Sequence, residues 1–586
     1  MAQALFHKVD YPLNKLIEDI DLGEIALPDI QRPFVWPNIK VRDLFDSMYR
    51  GYPIGYFLFW ENGLQGEYQV IGTNRKQKAP HLLVVDGQQR LTSLYAVLKG
   101  KPVIRSNYHE ERIIIAFNPR EGRFEVTNNA ISRDPKWIAD ISQLWDTDTS
   151  HNKFAKAFLA GLRQSQEVSE TAEDEISDAI FRLYAAQNYQ LTVLELSSTV
   201  PEDQVAEIFV RINSKGTPLN QADFILTLLS VFWDDGRADL ERFCRRAKQP
   251  SAGGPSPFNH FIRPDPDQLL RAAVALGFQR ARLEHVYSLL RGKDLQTGGF
   301  SEEQRVKQFT ILRNAQTYVL DLQNWHDFFK ALLRAGYRSG AMISSQTAIV
   351  YTYALYLIGK YDFKVEASTL RDTIARWFFM VSLTGRYTAS PETRMEQDLA
   401  LLRGLNHPAQ FIAALDREIG AVLTADHWGI TLANELATSS PRSPALFAYY
   451  AALNLLDAQV LFSKMKVTDL LDPSIKAKKS ALERHHLFPR RYLKKAGIAE
   501  RREINQIANY ALVEWSDNIT ISDLPPSDYA PEYEARLPRE ELERTYSWHA
   551  LPRGWYEMDY ATFLEERRKL MAHVIRRGFE TLEGGG

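Results

Sequence analysis

The chain has 586 residues, too many for a single hydrophobic core, and its length predicts roughly three to four domains. Hydrophobic residues make up 45% and charged residues 25%, and the net charge of −2 excludes a protein that coats nucleic acid as a polycation. The single cysteine, Cys244, excludes a disulfide framework and a zinc site built from several cysteines. We expect a cytoplasmic protein without a membrane span, because the sequence shows neither a signal-peptide pattern nor a long uninterrupted apolar stretch.

Short β-rich runs alternate with helix patterns over the first 200 residues. Runs of apolar, aromatic and β-branched residues predict strands at 56–60, 82–85, 112–117 and 189–196. A segment stiffened by Pro28 and Pro33 precedes the first of these strands. It carries four candidate contact residues: Gln31, Arg32, Phe34 and Trp36. An exposed arginine beside aromatic rings can stack on a base or close over a small apolar modification, although buried packing competes with that interpretation and is favoured for Phe34.

The strand at 82–85 runs into a loop that ends at the start of an apolar-periodic helix. The loop consists of Asp86, Gly87, Gln88, Gln89 and Arg90. A glycine turn at a helix N-terminus presents free backbone N–H groups to an anion, and an arginine adds a fork-shaped cation suited to phosphate. The two glutamines can orient a water or a base, and the aspartate can hold a metal ion or position the loop. A plain strand-to-helix turn with Arg90 in a structural salt bridge is the alternative.

A second candidate phosphate cradle lies at 209–220, where three polar side chains surround a glycine. These side chains are Arg211, Asn213 and Lys215. A helix C-cap at Gly216 is the alternative interpretation. From 222 to 455 the apolar residues recur at three- and four-residue spacing, which predicts an almost wholly helical region with a buried helix near 341–359.

The composition becomes locally basic near residue 460. Between residues 464 and 503 there are twelve Lys or Arg residues and five Asp or Glu residues, in a chain that is otherwise slightly acidic. Such a local positive field favours a phosphate backbone, although a charge run alone is more typical of a solvated helix face. The run gains significance because it encloses two adjacent histidines, His485 and His486, in Glu-Arg-His-His-Leu-Phe-Pro.

The histidine pair and two later asparagines form a candidate metal-dependent phosphodiesterase site. On an extended segment His485 and His486 point in diverging directions, so that one can ligate a metal while the other takes a proton from water. Asn509 can pin the loop through backbone hydrogen bonds, and Asn518 can return a second ligand to the metal. The alternative is that all four are ordinary loop residues, since Asn is common in turns.

This C-terminal block resembles the HNH (ββα-metal) nuclease domain of GmrSD-type restriction proteins. The resemblance implies that His486 is the general base and His485 the metal ligand, with Asn509 as the central asparagine and Asn518 as the last metal-side residue. Many relatives carry a Lys or Arg shortly after that last residue, whereas this chain has Ile519 and Thr520. The departure puts a phosphate contact there in doubt, but not the metal site.

The N-terminal motifs resemble the first domain of the same GmrSD-type family. There the Asp-Gly-Gln-Gln-Arg signature is associated with nucleotide hydrolysis on a fold related to ParB and sulfiredoxin. The resemblance implies an α+β multidomain protein with an N-terminal ParB/sulfiredoxin-like α/β domain, a helical middle and a C-terminal ββα-metal domain. We place these three parts at residues 1–225, 226–455 and 456–586, the last with a helical tail.

Together these features predict an anti-phage DNA endonuclease, nicking or cutting, regulated by an NTP-hydrolysing domain that senses a DNA modification. The single-chain architecture and the 31–36 block favour phosphorothioate, as in the SspE branch. The alternatives are a restriction enzyme for hydroxymethylated or glucosylated cytosine, a nucleotide-switched DNA-binding effector without turnover, and an RNA nuclease. The expected cofactors are a divalent metal (Mg²⁺ or Mn²⁺) and GTP or ATP, and the expected partner is phage or modified DNA. A homo-oligomer and contacts with proteins of a DNA-modification system stay open.

Overall fold

The computed structural model describes most of the chain, and the chain forms two compact units. The units are Met1–Arg237 and Ala238–Gly586. The described residues are 5–26, 34, 36–61, 68–69, 76–77, 81–105, 110–146, 150–200, 204–205, 208, 222, 225–226, 229, 233–251, 253–293, 301–474 and 484–584. The division into three domains stays a prediction, while the expected α+β class is confirmed.

A five-stranded mixed sheet forms the centre of the first unit. Its strands are β1 (Phe6–Pro12), β2 (Ile25–Ala26), β3 (Phe57–Glu61), β6 (Leu82–Asp86) and β11 (Gln190–Leu196), and they lie in the order β1-β11-β3-β6-β2. Small two-stranded ladders pair β4 (Tyr68–Gln69) with β5 (Lys76–Gln77), β7 (Pro102–Ile104) with β8 (Glu110–Arg112), and β9 (Ile115–Asn118) with β10 (Arg123–Val126). Strand β1 is therefore an edge strand that pairs only with β11 among the described strands.

Alternation along the strands gives the sheet two apolar faces. Phe59 and Val193 belong to a large core that the helices cover, whereas Leu58, Trp60 and Leu196 pack in a smaller cluster. The helices of this unit that lie wholly within the described residues are α1 (Leu13–Leu22), α2 (Asn38–Tyr49), α3 (Gln88–Leu98), α4 (His151–Arg163) and α5 (Glu170–Ala185). Strands predicted at 56–60, 82–85 and 189–196 are thus found within one or two residues of the expected bounds.

The predicted strand at 112–117 is wrong as a single element. Residues 110–112 and 115–118 are two short strands in different ladders, and the chain changes partner between them. The apolar run suggested one buried strand because Ile113 and Ile115 are both buried. Burial alone does not show whether a run keeps one partner, and here it does not.

The second unit begins with a layered set of helices. They are α6 (Asp234–Ala247), α7 (Pro266–Phe278), α8 (Leu283–Leu290), α9 (Glu302–Leu320), α10 (Leu322–Arg334), α11 (Gln346–Tyr361), α12 (Ala367–Thr384), α13 (Pro391–Ala400), α14 (Pro408–Val422), α15 (Leu432–Glu435), α16 (Pro444–Leu455) and α17 (Val467–Leu470). Helix α11 is buried along nearly its whole length, which confirms the buried helix predicted near 341–359. Cys244 of α6 is completely buried, and burial raises the pKa of its thiol.

Two short strands and six helices complete the second unit. The strands are β12 (Arg484–His486) and β13 (Tyr510–Leu512). The helices are α18 (Arg490–Lys495), α19 (Arg501–Ile504), α20 (Trp515–Ile521), α21 (Pro526–Glu534), α22 (Arg539–His549) and α23 (Tyr560–Glu583). No helix among the described residues combines the length and the apolar character that crossing a membrane requires.

Candidate active site

The histidine pair lies on the first strand of a strand–strand–helix arrangement. Strands β12 and β13 are antiparallel, with His485 opposite Ala511 and His486 opposite Tyr510, and helix α20 follows directly. Successive side chains of a strand point to opposite faces. His485 is accordingly 3% exposed, whereas the His486 side chain is only partly buried. The predicted extended segment with diverging imidazoles is what the structure contains.

His485 faces Asn518 of α20. The distance between His485 Nδ1 and Asn518 Oδ1 is 2.8 Å, and His485 Nε2 is buried without a hydrogen-bond partner among the described residues. Burial lowers the pKa of His485 to about 4, so the ring is neutral near pH 7 and one nitrogen offers a lone pair. Two ligands about 2.1 Å from one metal, in neighbouring coordination positions, are about 3 Å apart. In the tautomer with the proton on Nε2, Nδ1 and the amide oxygen both present lone pairs, and this donor pair fits a divalent cation.

His486 is oriented by Asn505, which the sequence did not single out. His486 Nε2 lies 3.0 Å from Asn505 Oδ1, and its ring packs against Tyr510 with the ring centroids 4.8 Å apart. An amide oxygen only accepts hydrogen bonds, so Nε2 carries the proton and Nδ1 carries the lone pair. Burial lowers the pKa of His486, the hydrogen bond that His486 donates to Asn505 raises it, and the charge of Arg490 lowers it further. The result is a neutral imidazole that can accept a proton.

Asn509 fastens the connection between the two strands. Its side chain is completely buried, Oδ1 accepts from the Phe488 N–H at 2.8 Å, and Nδ2 donates to the carbonyls of Phe488 and Ile504, both at 3.1 Å. Its own carbonyl accepts from the Leu487 N–H at 2.8 Å. Every polar atom of the amide is thus used to hold backbone, which is the pinning role that the sequence predicts for this residue.

The last helix, α23, also stabilises the connection between β12 and β13. Arg567 of α23 is 0% exposed, and it donates to the Ala508 carbonyl at 2.6 Å and to the His549 carbonyl at 3.1 Å. Tyr560 donates from its hydroxyl to the Glu503 carbonyl at 2.8 Å. A buried guanidinium needs such acceptors because it loses its hydration. Helix α23 is therefore part of the strand–strand–helix site and not a detached tail.

Exposed cations surround this site. Helices α18 and α19, which lie between the two strands, carry six of them: Arg490, Arg491, Lys494, Lys495, Arg501 and Arg502. Ile519 and Thr520 on α20 are also exposed. Lys476, Lys478 and Lys479 of the basic run lie outside the described residues. The described basic side chains form a surface suited to a phosphate backbone.

The 86–90 loop of the first unit has the predicted strand–turn–helix form. Gly87 has φ +91°, and a Cβ at this position would lie 2.5 Å from Phe57 Cδ1, so both backbone and packing require glycine. Helix α3 begins at Gln88, and the first N–H groups of a helix have no acceptor within the helix, as an anion site requires. Gln88 donates to the Val84 carbonyl at 3.1 Å and so closes the turn on its own strand.

Arg90 is directed into the protein. Its Nη1 donates to the Ile54 carbonyl at 2.7 Å and its Nη2 donates to the Tyr56 carbonyl at 2.8 Å. The guanidinium also lies 4.7 Å from the centre of the Phe57 ring and 3.6 Å from the Asp86 carboxylate. Burial lowers the pKa of Arg90, and the charge of Asp86 opposes that shift. The structure thus places Arg90 in the supporting role that we considered as the alternative.

Comparison with known proteins identifies the first unit. Residues 13–230 match the family model of the GmrSD restriction endonuclease N-terminal domain. The chain carries a GmrSD-type N-terminal domain. The match indicates a restriction-system protein.

One curated relative aligns with most of the chain. It is an uncharacterized protein, MJ0686, of Methanocaldococcus jannaschii, which is 23% identical over 550 residues, or 89% of this chain and 86% of the relative. The similarity therefore extends well past the GmrSD-type domain into the second unit.

Several candidate residues of the GmrSD-type domain are not brought together. Phe34 is 3% exposed and belongs to the large core. The Arg105 guanidinium lies 5.0 Å from the centre of its ring, so the ring packs within the protein. Trp36 is partly exposed, with Lys40 5.7 Å from its ring centre. The remaining candidates lie outside the described residues: Gln31, Arg32, Arg211, Asn213 and Lys215. Their roles stay predictions.

Proposed function

We propose that this protein is an HNH-type DNA endonuclease whose cutting centre consists of β12, β13 and α20, and that its GmrSD-type domain controls that centre. The observation that carries the proposal is the 2.8 Å approach of His485 Nδ1 to Asn518 Oδ1 beside a neutral, oriented His486.

His485 and Asn518 would hold the divalent cation, which we expect to be Mg²⁺ or Mn²⁺. When bound, such a cation supplies positive charge to the phosphate and to the leaving oxygen. His485 is suited to the role because it stays unprotonated down to about pH 4. Asn509 contributes indirectly by fixing the backbone on either side of the histidine pair.

His486 takes the proton of the attacking water on Nδ1. The hydrogen bond to Asn505 keeps the other nitrogen protonated and fixes the plane of the ring. Water oxygen attacks phosphorus as the proton moves to the imidazole, and the bond from phosphorus to the leaving oxygen breaks. The cations on α18 and α19 orient the strand by contacting its phosphates, which adds affinity without sequence preference.

The GmrSD-type domain would bind and hydrolyse GTP or ATP at the 86–90 loop. Because two donors of Arg90 already hold the Ile54 and Tyr56 carbonyls, we assign the first phosphate contacts to the backbone N–H groups at the start of α3. Arg90 then holds the loop in shape. Asp86, at the mouth of the turn and partly exposed, is the residue that can coordinate the nucleotide's metal.

The modification sensed is proposed to be phosphorothioate, read near the partly exposed Trp36. A phosphorothioate is softer and less hydrated than a phosphate, so an arginine beside an aromatic ring can prefer it. Restriction of hydroxymethylated or glucosylated cytosine is the second candidate. It is favoured by the match to the GmrSD restriction family itself.

The test is plasmid cleavage and nucleotide release measured side by side with the full chain. Unmodified, phosphorothioated and glucosylated plasmids, and an RNA of equal length, are each incubated with Mg²⁺ or Mn²⁺, with and without GTP or ATP. We expect metal-dependent cleavage of DNA and a rate of cleavage that changes with nucleotide and with one modification. Cleavage of RNA alone, or none in any arm, refutes the nuclease proposal. Cleavage that ignores nucleotide refutes only the control by the GmrSD-type domain.

A further inference from the structure

Three side chains that could bind a metal meet at one end of the central sheet of the first unit. They are His7 on β1, Glu61 at the end of β3 and Glu195 on β11. One ligand atom of each lies within 4.8 Å of the others. We propose that this cluster binds a divalent transition-metal ion, Zn²⁺ or Mn²⁺, which fastens the edge strand β1 to the sheet.

The sheet itself brings the three groups together. His7 is directly opposite Glu195 in the β1–β11 ladder, and β11 runs parallel to β3, which ends at Glu61. His7 Nε2 lies 2.9 Å from Glu195 Oε2, while Tyr11 donates from its hydroxyl to Glu195 Oε1 at 2.5 Å. The Ser198 N–H donates to Glu61 Oε2 at 3.2 Å. Ligands on three adjacent hydrogen-bonded strands are preorganised, which is what a metal site needs.

The charge of the cluster favours a cation. Glu195 is 5% exposed, and a buried carboxylate is costly unless a positive charge lies beside it. Among the described residues no Lys or Arg makes an ion pair with Glu195 or with Glu61; their partners are His7, a phenol and a backbone N–H. Two carboxylates therefore meet one imidazole, and a divalent cation balances them.

The donor set selects the kind of metal. Mg²⁺ prefers oxygen alone, whereas one imidazole with two carboxylates suits Zn²⁺ or Mn²⁺. Ligand atoms about 2.1 Å from one metal are about 3–4 Å apart, so the 4.8 Å spread closes through small rotations of the exposed His7 and the partly exposed Glu61.

This cluster is separate from the 86–90 loop. In the antiparallel β3–β6 ladder Glu61 lies opposite Leu82, at the start of β6, whereas Asp86 at its end lies opposite Leu58. Three residues along a strand span about 10 Å. The ion would accordingly act on the stability of the sheet and not on the phosphates of a nucleotide bound at the loop.

The test counts the metal in the full chain, purified without a histidine tag. The background is His485→Ala with Asn518→Ala, which removes the C-terminal donors. After incubation with Zn²⁺ or Mn²⁺ and gel filtration, elemental analysis should find about one ion per chain, and thermal unfolding should shift upward by several degrees. In this background His7→Gln and Glu195→Gln should each lose the ion and the shift.

The matched control is Asp10→Asn, which removes a carboxylate from the other face of the same strand pair, where Asp10 accepts from Thr192 at 2.6 Å. It should keep both the ion and the stabilisation. A background protein that retains no ion, or a His7→Gln variant that still retains it, overturns the proposal and leaves an ion pair only. Because activity is not measured, the result is independent of the nuclease proposal.

Discussion

The two motifs that stand out in the sequence use their polar groups in opposite ways. At the 485–518 site the functional atoms face one another or stay available: His485 Nδ1 lies 2.8 Å from Asn518 Oδ1, and the lone pair of His486 lies on Nδ1. At the 86–90 loop, by contrast, Arg90 is directed to two backbone carbonyls and an aromatic ring. Polar residues in a signature motif can therefore bind a ligand or hold the loop that binds it, and only their contacts distinguish the two roles.

The largest effect is expected from His486→Ala. Loss of the general base should reduce DNA cleavage by about 10²–10⁴-fold. The variant should leave nucleotide turnover and thermal stability unchanged, because His486 contacts Asn505 and Tyr510 only at the edge of the site. The exposed histidine His573 provides the matched control, and His573→Ala should cleave normally. An equal loss of nucleotide turnover in folded His486→Ala would contradict the separation of the two sites.

The second largest effect is expected from acid. A low pH should lower the free energy of unfolding of the second unit, because this unit contains buried neutral histidines. Burial lowers the pKa of His485 and of His549 to about 4 from 6.5. The unfolded chain therefore takes up protons first, and stability that is complete above about pH 6.5 falls as the pH approaches 4. Each histidine should cost about 2 kcal/mol between about pH 7 and about pH 5.

Urea unfolding at the two pH values measures this loss. His549→Gln should reduce the pH-dependent loss, because a glutamine does not titrate. His573→Gln, at an exposed position, should leave it unchanged. An identical pH dependence for wild type and His549→Gln would mean that His549 is not buried in its neutral form.

Substitutions of Arg90 test whether its side chain holds the 86–90 loop or contacts the nucleotide. Arg90→Ala leaves the Ile54 and Tyr56 carbonyls without donors and should lower the free energy of unfolding by about 2 kcal/mol, and Arg90→Lys should recover part of it. Nucleotide turnover should fall with the loss of the loop's shape. Arg50→Ala, which removes a half-exposed i,i+4 ion pair, should leave the free energy of unfolding almost unchanged. Abolished turnover at unchanged stability would instead place Arg90 on the nucleotide.

The smallest effect is expected at Asn505. Its hydrogen bond raises the pKa of His486, so Asn505→Ala should lower that pKa and move the acidic limb of the cleavage profile to lower pH, with about tenfold slower cleavage. Asn505→Asp should move the same limb to higher pH, because a carboxylate favours the protonated ring. A uniform loss of rate with no movement of the limb would show that Asn505 acts only on the fold.

The sequence predicted the 485–518 site better than the 86–90 loop because its contacts are local. Strand β12, the pin at Asn509 and the helix bearing Asn518 lie within about 35 residues, so their order nearly determines their contacts. Asn505 was missed because no spacing distinguishes it from neighbouring loop residues. Its position depends on where the short helix α19 ends.

Long-range pairing accounts for what the sequence did not predict. The carbonyls that bind Arg90 belong to a turn more than thirty residues earlier, which the sequence marks only as a glycine turn at Gly51 and Gly55. His7, Glu61 and Glu195 meet because β11 lies between β1 and β3, and no periodicity in one sequence gives the order of strands.

Cys244 has a practical consequence for studying how nucleotide binding reaches the cutting centre. The one thiol in the chain is completely buried, and its raised pKa keeps it protonated and unreactive. Cysteines introduced at one exposed position in each unit can therefore be labelled with a fluorophore pair without removing any native residue. Energy transfer between the labels would then follow, in an otherwise native chain, whether nucleotide or modified DNA changes the separation of the units.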